Sequence, residues 1–387
     1  MTVRKLEAVV VGGGLTGLAA AAACAAAGLE TVHLAPKGPP DRRTSALMMP
    51  SVRYLQDAGL ISEPSALGHP LTQIRIIDAT GRLIRAPETL FDSKEVGLEA
   101  FGWNFANIRL TEAFELAAAT FTNLETINAS LTELAVGPAG ASLTLNDGTT
   151  LLADLLVGAD GKKSLVREAA DFRARENGFA QAALVCDLML QRPLGGASVE
   201  FHYPQGPFTL VPAGDNRANL VWIDDRAVLN AAQAGGPEAL LAIFAEKSMR
   251  LFGTIELATP THIFPLSTIT VTEAGHNDVV LVGEAAHAFP PIGAQGLNLG
   301  LRDVADLSAS LASTDLTAAD WGKSLSLDYA RRRAADLART GTMVDALFKS
   351  LLADMLPAQA LRAGGLWALK SLPALRRQAF KLGMGAR

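Results

Sequence analysis

Two hydrophobic patterns alternate along the chain and predict two kinds of sheet. Residues 6–11 and 279–282 are short apolar runs followed by glycine and then by helical spacing, the form of strands covered on both faces of a parallel sheet. Residues 16–27 are rich in alanine, which lets a helix pack close to that sheet, Gly28 ends the helix, and 31–35 reads as the next strand. Leu297, Leu301, Val304 and Leu311 fall on one face of a later helix. A third apolar run, from 151, ends at Gly158 and Asp160 before a helix from Ser164. Residues 182–190, 199–203, 208–211 and 220–223 instead alternate or run short between turns, which predicts an antiparallel sheet with one covered face, interrupted by a helix near 237–248. Residues 73–77 and 82–86 predict a hairpin, 110–121 a helix, and 131–136 and 142–145 further strands. The expected architecture is α/β: a Rossmann-like cofactor domain from 1–67, 104–172 and 278–345, an inserted antiparallel-sheet substrate domain from 68–103 and 173–277, and C-terminal helices at 346–387.

Composition narrows the function classes. With 387 residues, 49% hydrophobic and 19% charged, the chain is long enough for two cores. A formal net charge of −5 argues against nucleic acid as a partner, since binding it needs a basic face. Two isolated cysteines, Cys24 and Cys186, form neither a disulfide framework nor a zinc site, so no metal is expected and a reducing, cytoplasmic compartment fits. Arg4 and Lys5 before an apolar run imitate a secretory signal, but Gly12, Gly14 and Gly17 have no place in one. No run approaches the roughly 18 apolar residues of a membrane span.

Those glycines carry the first chemical signal. GGGLTG at 12–17 is a G-x-G-x-x-G turn between a strand and a helix: Gly12 makes the turn, Gly14 admits a pyrophosphate to the backbone, Gly17 lets helix and strand approach, and Leu15 and Thr16 complete the turn. The acid expected at the end of the second strand to hold a ribose is missing; Leu34, Ala35, Pro36 and Lys37 stand there, and Asp41 in the next loop is a weak substitute. Arg42 and Arg43 are candidate pyrophosphate partners, because a guanidinium grips phosphate oxygens in pairs. Asp160 marks a second cofactor-side loop. The third is GEAAHAFPPIGAQGLNLGLRD at 283–303, where Gly283 leaves the sheet, Pro290 and Pro291 stiffen the turn, and Gly293 and Gly296 precede the helix. The amides of Gln295, Gly296, Leu297 and Asn298 at that helix start have no intrahelical partner and suit a developing anion.

Together GGGLTG, DRRTSAL at 41, NIRL at 107, GADGKKSLVR at 158 and the 283–303 segment resemble the class A FAD-dependent aromatic hydroxylases, with a fold like para-hydroxybenzoate hydroxylase. The UbiH/UbiF-type hydroxylases of ubiquinone biosynthesis look like the nearest branch. The resemblance implies FAD as cofactor, NAD(P)H or another electron donor as reductant, O2 as co-substrate, a C4a-hydroperoxyflavin intermediate, and hydroxylation of a polyprenylated phenol. It places Gly12, Gly14, Leu15, Thr16, Gly17, Arg43, Arg109, Asp160, Gly283, Glu284, Gly293 and residues 295–298 around the cofactor. Glu284 departs from the aspartate usual in the family.

Such a reaction requires the protein to hold the ring, stabilise its reduced anion and exclude water. The amides around Gly296, Leu297 and Asn298 take the electrostatic role at the N1 and C2 carbonyl side, and Pro290 and Pro291 wall the substrate side. His287 reads as a structural hydrogen-bonding residue, and no catalytic base is assigned. Another flavin oxidoreductase, a small-phenol hydroxylase, and a weakly FAD-binding scaffold among other ubiquinone-biosynthesis proteins remain alternatives. Residues 355–387 carry Arg362, Lys370, Arg376, Arg377, Lys381 and Arg387 without an acid, the pattern of a helix lying peripherally on the inner membrane face.

Overall fold

The chain opens with β1 (Val3–Val11), turns at Gly12 into α1 (Leu15–Ala26) and returns through β2 (Thr31–Leu34). The alanines at 19–22 are all buried, so α1 lies close on the sheet without large side chains between. β3 (Thr44–Met48), α2 (Met49–Asp57), α3 (Pro64–Leu67), β4 (Gly68–Leu71), β5 (Gln73–Asp78) and β6 (Thr89–Asp92) follow. β7 (Gly102–Ala106) leads to α4 (Asn107–Ala118), β8 (Leu124–Ile127), β9 (Leu131–Gly137), β10 (Gly140–Leu145), β11 (Thr150–Gly158) and α5 (Leu165–Ala169). Next come β12 (Ala174–Leu190), β13 (Ala197–Tyr203), β14 (Gly206–Pro212), β15 (Arg217–Asp225), α6 (Arg226–Ala234), α7 (Gly236–Lys247), β16 (Ile255–Leu257) and β17 (His262–Val271). β18 (Gly275–His276), β19 (Val279–Leu281), β20 (His287–Ala288), α8 (Gln295–Ser313) and α9 (Trp321–Leu352) complete the described elements. This computed structural model describes residues 3–81, 86–137, 140–291, 295–352 and Trp367.

Three sheets result. The first runs β18-β19-β11-β1-β2-β8, with β10 and β9 added beside β11, and its four central pairings are parallel. The second runs β20-β17-β12-β15-β14-β13-β5-β6, with β16 on β12. It is antiparallel except where β5 meets β13 in parallel, a departure from the expected uniform sheet. β5 enters directly from β4, Thr72 and Gln73 donating to Gly196 O, and this entry sets its direction. The third, β3-β7-β4, is small.

Strand faces divide the second sheet. Leu184, Leu188, Phe201, Phe208, Leu220 and Trp222 pack under α6 and α7 with Leu229 and Phe244. The opposite face carries Ala183, Ile223 and Leu266 with Phe179 and Val221. Asn104 of β7 donates to Pro212 O at 2.9 Å and to Asn219 Oδ1 at 2.7 Å, which fixes the small sheet to the substrate sheet. β20 pairs with β17, so the chain leaves the edge of the substrate sheet and passes through Pro290 and Pro291 before it starts α8.

Several sequence expectations shift. β5 also pairs with β6, with Ile76 opposite Thr89, and of the strand expected at 82–86, residues 82–85 lie outside the described residues. Asp78 accepts from Thr80 N, Thr80 Oγ1 and Ala86 N. α6 and β17 escaped the pattern, the first because its apolar face is short, the second because its alternation is irregular. α9 runs through residue 345, so the boundary placed there falls within one helix. The basic tail lies outside the described residues apart from Trp367.

Candidate active site

β1 and β11 end together, Val11 opposite Gly158, and two glycine-rich turns meet above them. Gly12 has φ +134°, and a Cβ there would fall 2.1 Å from Ala159 O. A Cβ on Gly17 would fall 1.9 Å from Gly12 O. The fold itself therefore demands both glycines. Gly14 is different: its φ is −82°, and nothing lies within 4 Å of the position its Cβ would take. The protein leaves that space open at the start of α1, where no side chain caps the helix amides. Gly296, in the first turn of α8, likewise has nothing within 4 Å of a Cβ. Two helix N-termini with open glycines fit an elongated anionic ligand.

The turns are tied to one another. Thr16 is the wedge: a Cβ on Gly283 would lie 3.1 Å from its side chain, and one on Gly300 of α8 would lie 2.7 Å from its Oγ1. Thr16 is thus partly a packing residue, and Leu15 is buried in the core. Gly283 adopts φ +61°, which lets the chain leave β19 as expected and leaves Glu284 exposed. Arg167 donates to Ala285 O at 2.9 Å and to Lys162 O at 2.6 Å, joining the Asp160 loop to the Gly283 turn. Sequence reasoning gave no role to Arg167, the last residue of GADGKKSLVR, and missed His33, whose Nε2 lies 2.9 Å from Gly12 O. Burial holds the His33 pKa below its usual value against that hydrogen bond, so a neutral ring donates to the carbonyl. A histidine inside the apolar strand 31–34 was the available signal.

Asp41 holds Arg43. The Arg43 Nε and Nη2 donate to its two oxygens at 2.8 Å each, and Asn107 Nδ2 donates at 2.8 Å. Ser45 Oγ donates to Asn107 Oδ1 at 2.7 Å. Burial pushes the Asp41 carboxyl up, but the hydrogen bonds from Arg43 and Asn107 outweigh it and hold the pKa below the ordinary value. With both oxygens committed, Asp41 does not stand in for the missing ribose acid. The hydrogen bond to Asp41 raises the Arg43 pKa against the opposing effect of burial, helped by the Asp41 charge and, last, by that of Glu284. The Arg43 side chain keeps 66% exposure, leaving it accessible to a phosphate.

Other residues are engaged elsewhere. Asp160 accepts from Ser164 Oγ and from Val166 N, and Ser164 in turn caps α5, so this carboxylate organises the loop. Arg109 donates to Ala66 O at 3.3 Å and lies 3.8 Å from Glu112, pointing along α4. The Asn298 side chain is structural: Oδ1 accepts from Met48 N and Ser51 Oγ, and Nδ2 donates to Ala46 O. Its backbone lies with those of Gln295, Gly296 and Leu297 in the first turn of α8. Pro290 is buried and Pro291 exposed, while Gly293 lies outside the described residues. His287 is buried with its Nε2 2.6 Å from Asp303 Oδ2, the structural role expected of it. No group of three potential metal ligands occurs among the described residues.

Residues 5–342 match a family model described as an FAD binding domain. The chain belongs to that family. It is 30% identical to the ubiquinone hydroxylase UbiL of Rhodospirillum rubrum, over 98% of this chain and 89% of the relative. It is 28% identical to the 3-demethoxyubiquinol 3-hydroxylase of Escherichia coli, over 100% of both. In fold it is similar to p-nitrophenol 4-monooxygenase PnpA from Pseudomonas putida DLL-E4, with a TM-score of 0.80 at 18% identity, covering 100% of each chain. The open space at Gly14 and at Gly296 is compatible with the FAD that this family binds.

Proposed function

We propose that this chain is an FAD-dependent monooxygenase that hydroxylates the aromatic ring of a polyprenylated phenol in ubiquinone biosynthesis. The observation that carries the reading is the end-to-end relation to a ubiquinone hydroxylase, at 30% identity over 98% of the chain. When bound, FAD supplies the oxygen chemistry, with O2 as co-substrate and NAD(P)H or another donor as reductant. The protein binds and orients. The α1 amides and Arg43 receive the pyrophosphate, the latter aimed by Asp41 and Asn107. The α8 amides at 295–298 would hold the ring side, offering donors where charge is gained on reduction. Pro290, between the sheet edge and α8, keeps water from the substrate side. The face bearing Ala183, Val221, Ile223 and Leu266 suits an apolar ring and tail. Glu284, in an exposed turn, would hold the ribityl chain by accepting from one of its hydroxyls.

The test is turnover of a short-chain prenylphenol by the reduced, FAD-loaded protein, read as product heavier by one oxygen. A yellow protein that consumes reductant without oxygenating prenylphenols, yet oxygenates small phenols, would favour the alternative hydroxylase. A colourless protein that cannot be reconstituted with FAD would favour the scaffold. We also infer peripheral membrane contact through the basic residues of 355–387, each contributing roughly 1 kcal/mol near an anionic surface. No helix among the described residues is long and apolar enough to cross a membrane. Salt-sensitive co-sedimentation with anionic vesicles, lost on truncation after Asp354, is the expected result; equal sedimentation of the truncated protein refutes it.

A further inference from the structure

Behind the Gly283 turn lies a group of buried charges that the proposed chemistry does not use. Asp303, on α8, accepts from Gly283 N at 2.7 Å and lies 2.6 Å from His287 Nε2, so one carboxylate oxygen spans both ends of the turn. Its other oxygen is 2.7 Å from Arg333 Nε on α9, without hydrogen-bond alignment, so that contact is an ion pair. Arg333 is fully buried and also meets Asp306 at 2.8 Å and Asp336 at 2.9 Å. Asp336 in turn meets Arg302 and Arg339. One turn earlier on α9, Tyr329 donates to Leu281 O at 2.8 Å, and its burial keeps the phenol protonated. Tyr329 and Arg333 are four residues apart, so one face of α9 grips the end of β19 directly and the following turn through Asp303.

A network of this kind is a poor route to stability, because desolvating the charges offsets their attraction. What it does provide is geometry, since a carboxylate anchored by a buried guanidinium has one low-energy position. That position fixes the Gly283 turn relative to α8, whose first amides belong to the same helix as Asp303. We propose that Arg333 is a positioning residue for the flavin, acting through Asp303 to set the Gly283 turn against the first turn of α8. The inference rests on family membership and FAD binding, and is independent of which phenol is oxygenated.

The test uses the holoenzyme and reads FAD affinity and the potential of the bound flavin. Arg333→Met leaves Asp303 without its partner cation: FAD should bind at least tenfold more weakly and the potential should fall, because an uncompensated negative charge beside the turn opposes anionic reduced flavin. The double variant Asp303→Asn with Arg333→Met removes both charges, and its potential should return towards wild type. Should Arg333→Met fail to fold, Arg333→Lys, which keeps the charge and loses the planar fork, decides by the same readouts, with a smaller shift in the same direction. A lower melting temperature with unchanged affinity and potential overturns the proposal, as does simple additivity of Asp303→Asn and Arg333→Met. Wild-type protein unable to bind FAD would instead overturn the FAD-binding reading on which the inference rests.

Discussion

Replacing Gly14 with alanine separates what the fold needs from what the cofactor needs. The new methyl group meets no protein atom within 4 Å, and φ −82° is ordinary for alanine. Lower entropy of the unfolded chain stabilises the variant by about 0.4–1 kcal/mol, while alanine is a poorer helix N-cap than glycine by roughly the same amount. The apoprotein should therefore unfold within about 1 kcal/mol of wild type. Bound FAD at a hundred times its Kd adds about 2.7 kcal/mol to wild-type stability. If the methyl group blocks the pyrophosphate and weakens binding a hundredfold, the same FAD concentration adds only about 0.4 kcal/mol. Gly12→Ala, with a clash at 2.1 Å and φ +134°, should lose about 1–3 kcal/mol from backbone conformation alone, before any FAD is added. Denaturant unfolding of apo and FAD-loaded proteins, with a flavin-fluorescence titration, measures each term. Wild-type FAD affinity in a folded Gly14→Ala protein would refute the assignment of that space to the pyrophosphate.

Three further outcomes follow from the same geometry. Proline at Leu297 removes one first-turn amide at a position where a helix tolerates it, so the bound flavin potential should fall and turnover slow more than FAD binding weakens; an unchanged potential in the FAD-loaded variant counts against the α8 assignment. Asn298→Ala strands Met48 N and Ser51 Oγ and should cost about 1–3 kcal/mol for each group left unsatisfied, a loss that urea unfolding of the apoprotein detects; no loss means the side chain is not the bridge described. Burial lowers the His33 pKa, so the unfolded chain binds the extra proton below about pH 6.5. The stability that His33 contributes is therefore present above that pH and is lost as pH falls through it, with a slope of at most about 1.4 kcal/mol per pH unit. His33→Gln should flatten this part of the stability profile, and an identical profile would show that another group titrates there.

The sequence by itself determined the elements that depend on neighbouring residues. The strand, GGGLTG turn and helix at the start, the strand and turn at 279–283, and the helix face through Leu297, Leu301 and Val304 were legible because period and glycine position are local properties of the backbone. The same local logic picked out Gly12 and Gly17, and the structure gives each a backbone atom about 2 Å from a virtual Cβ. What only the tertiary structure decided lies in pairings across long separations. Asn298 reads as a ligand residue until its side chain is seen on Ala46 and Met48, about 250 positions away. Asp41 reads as a weak substitute for the ribose acid until Asn107 and Arg43 occupy both its oxygens. Asp303 and Arg333, on separate helices, reveal nothing in sequence of the turn they grip. A side chain's chemistry is set by the partners that folding brings to it, and for buried polar groups the cost of leaving a charge unpaired makes that choice at a distance.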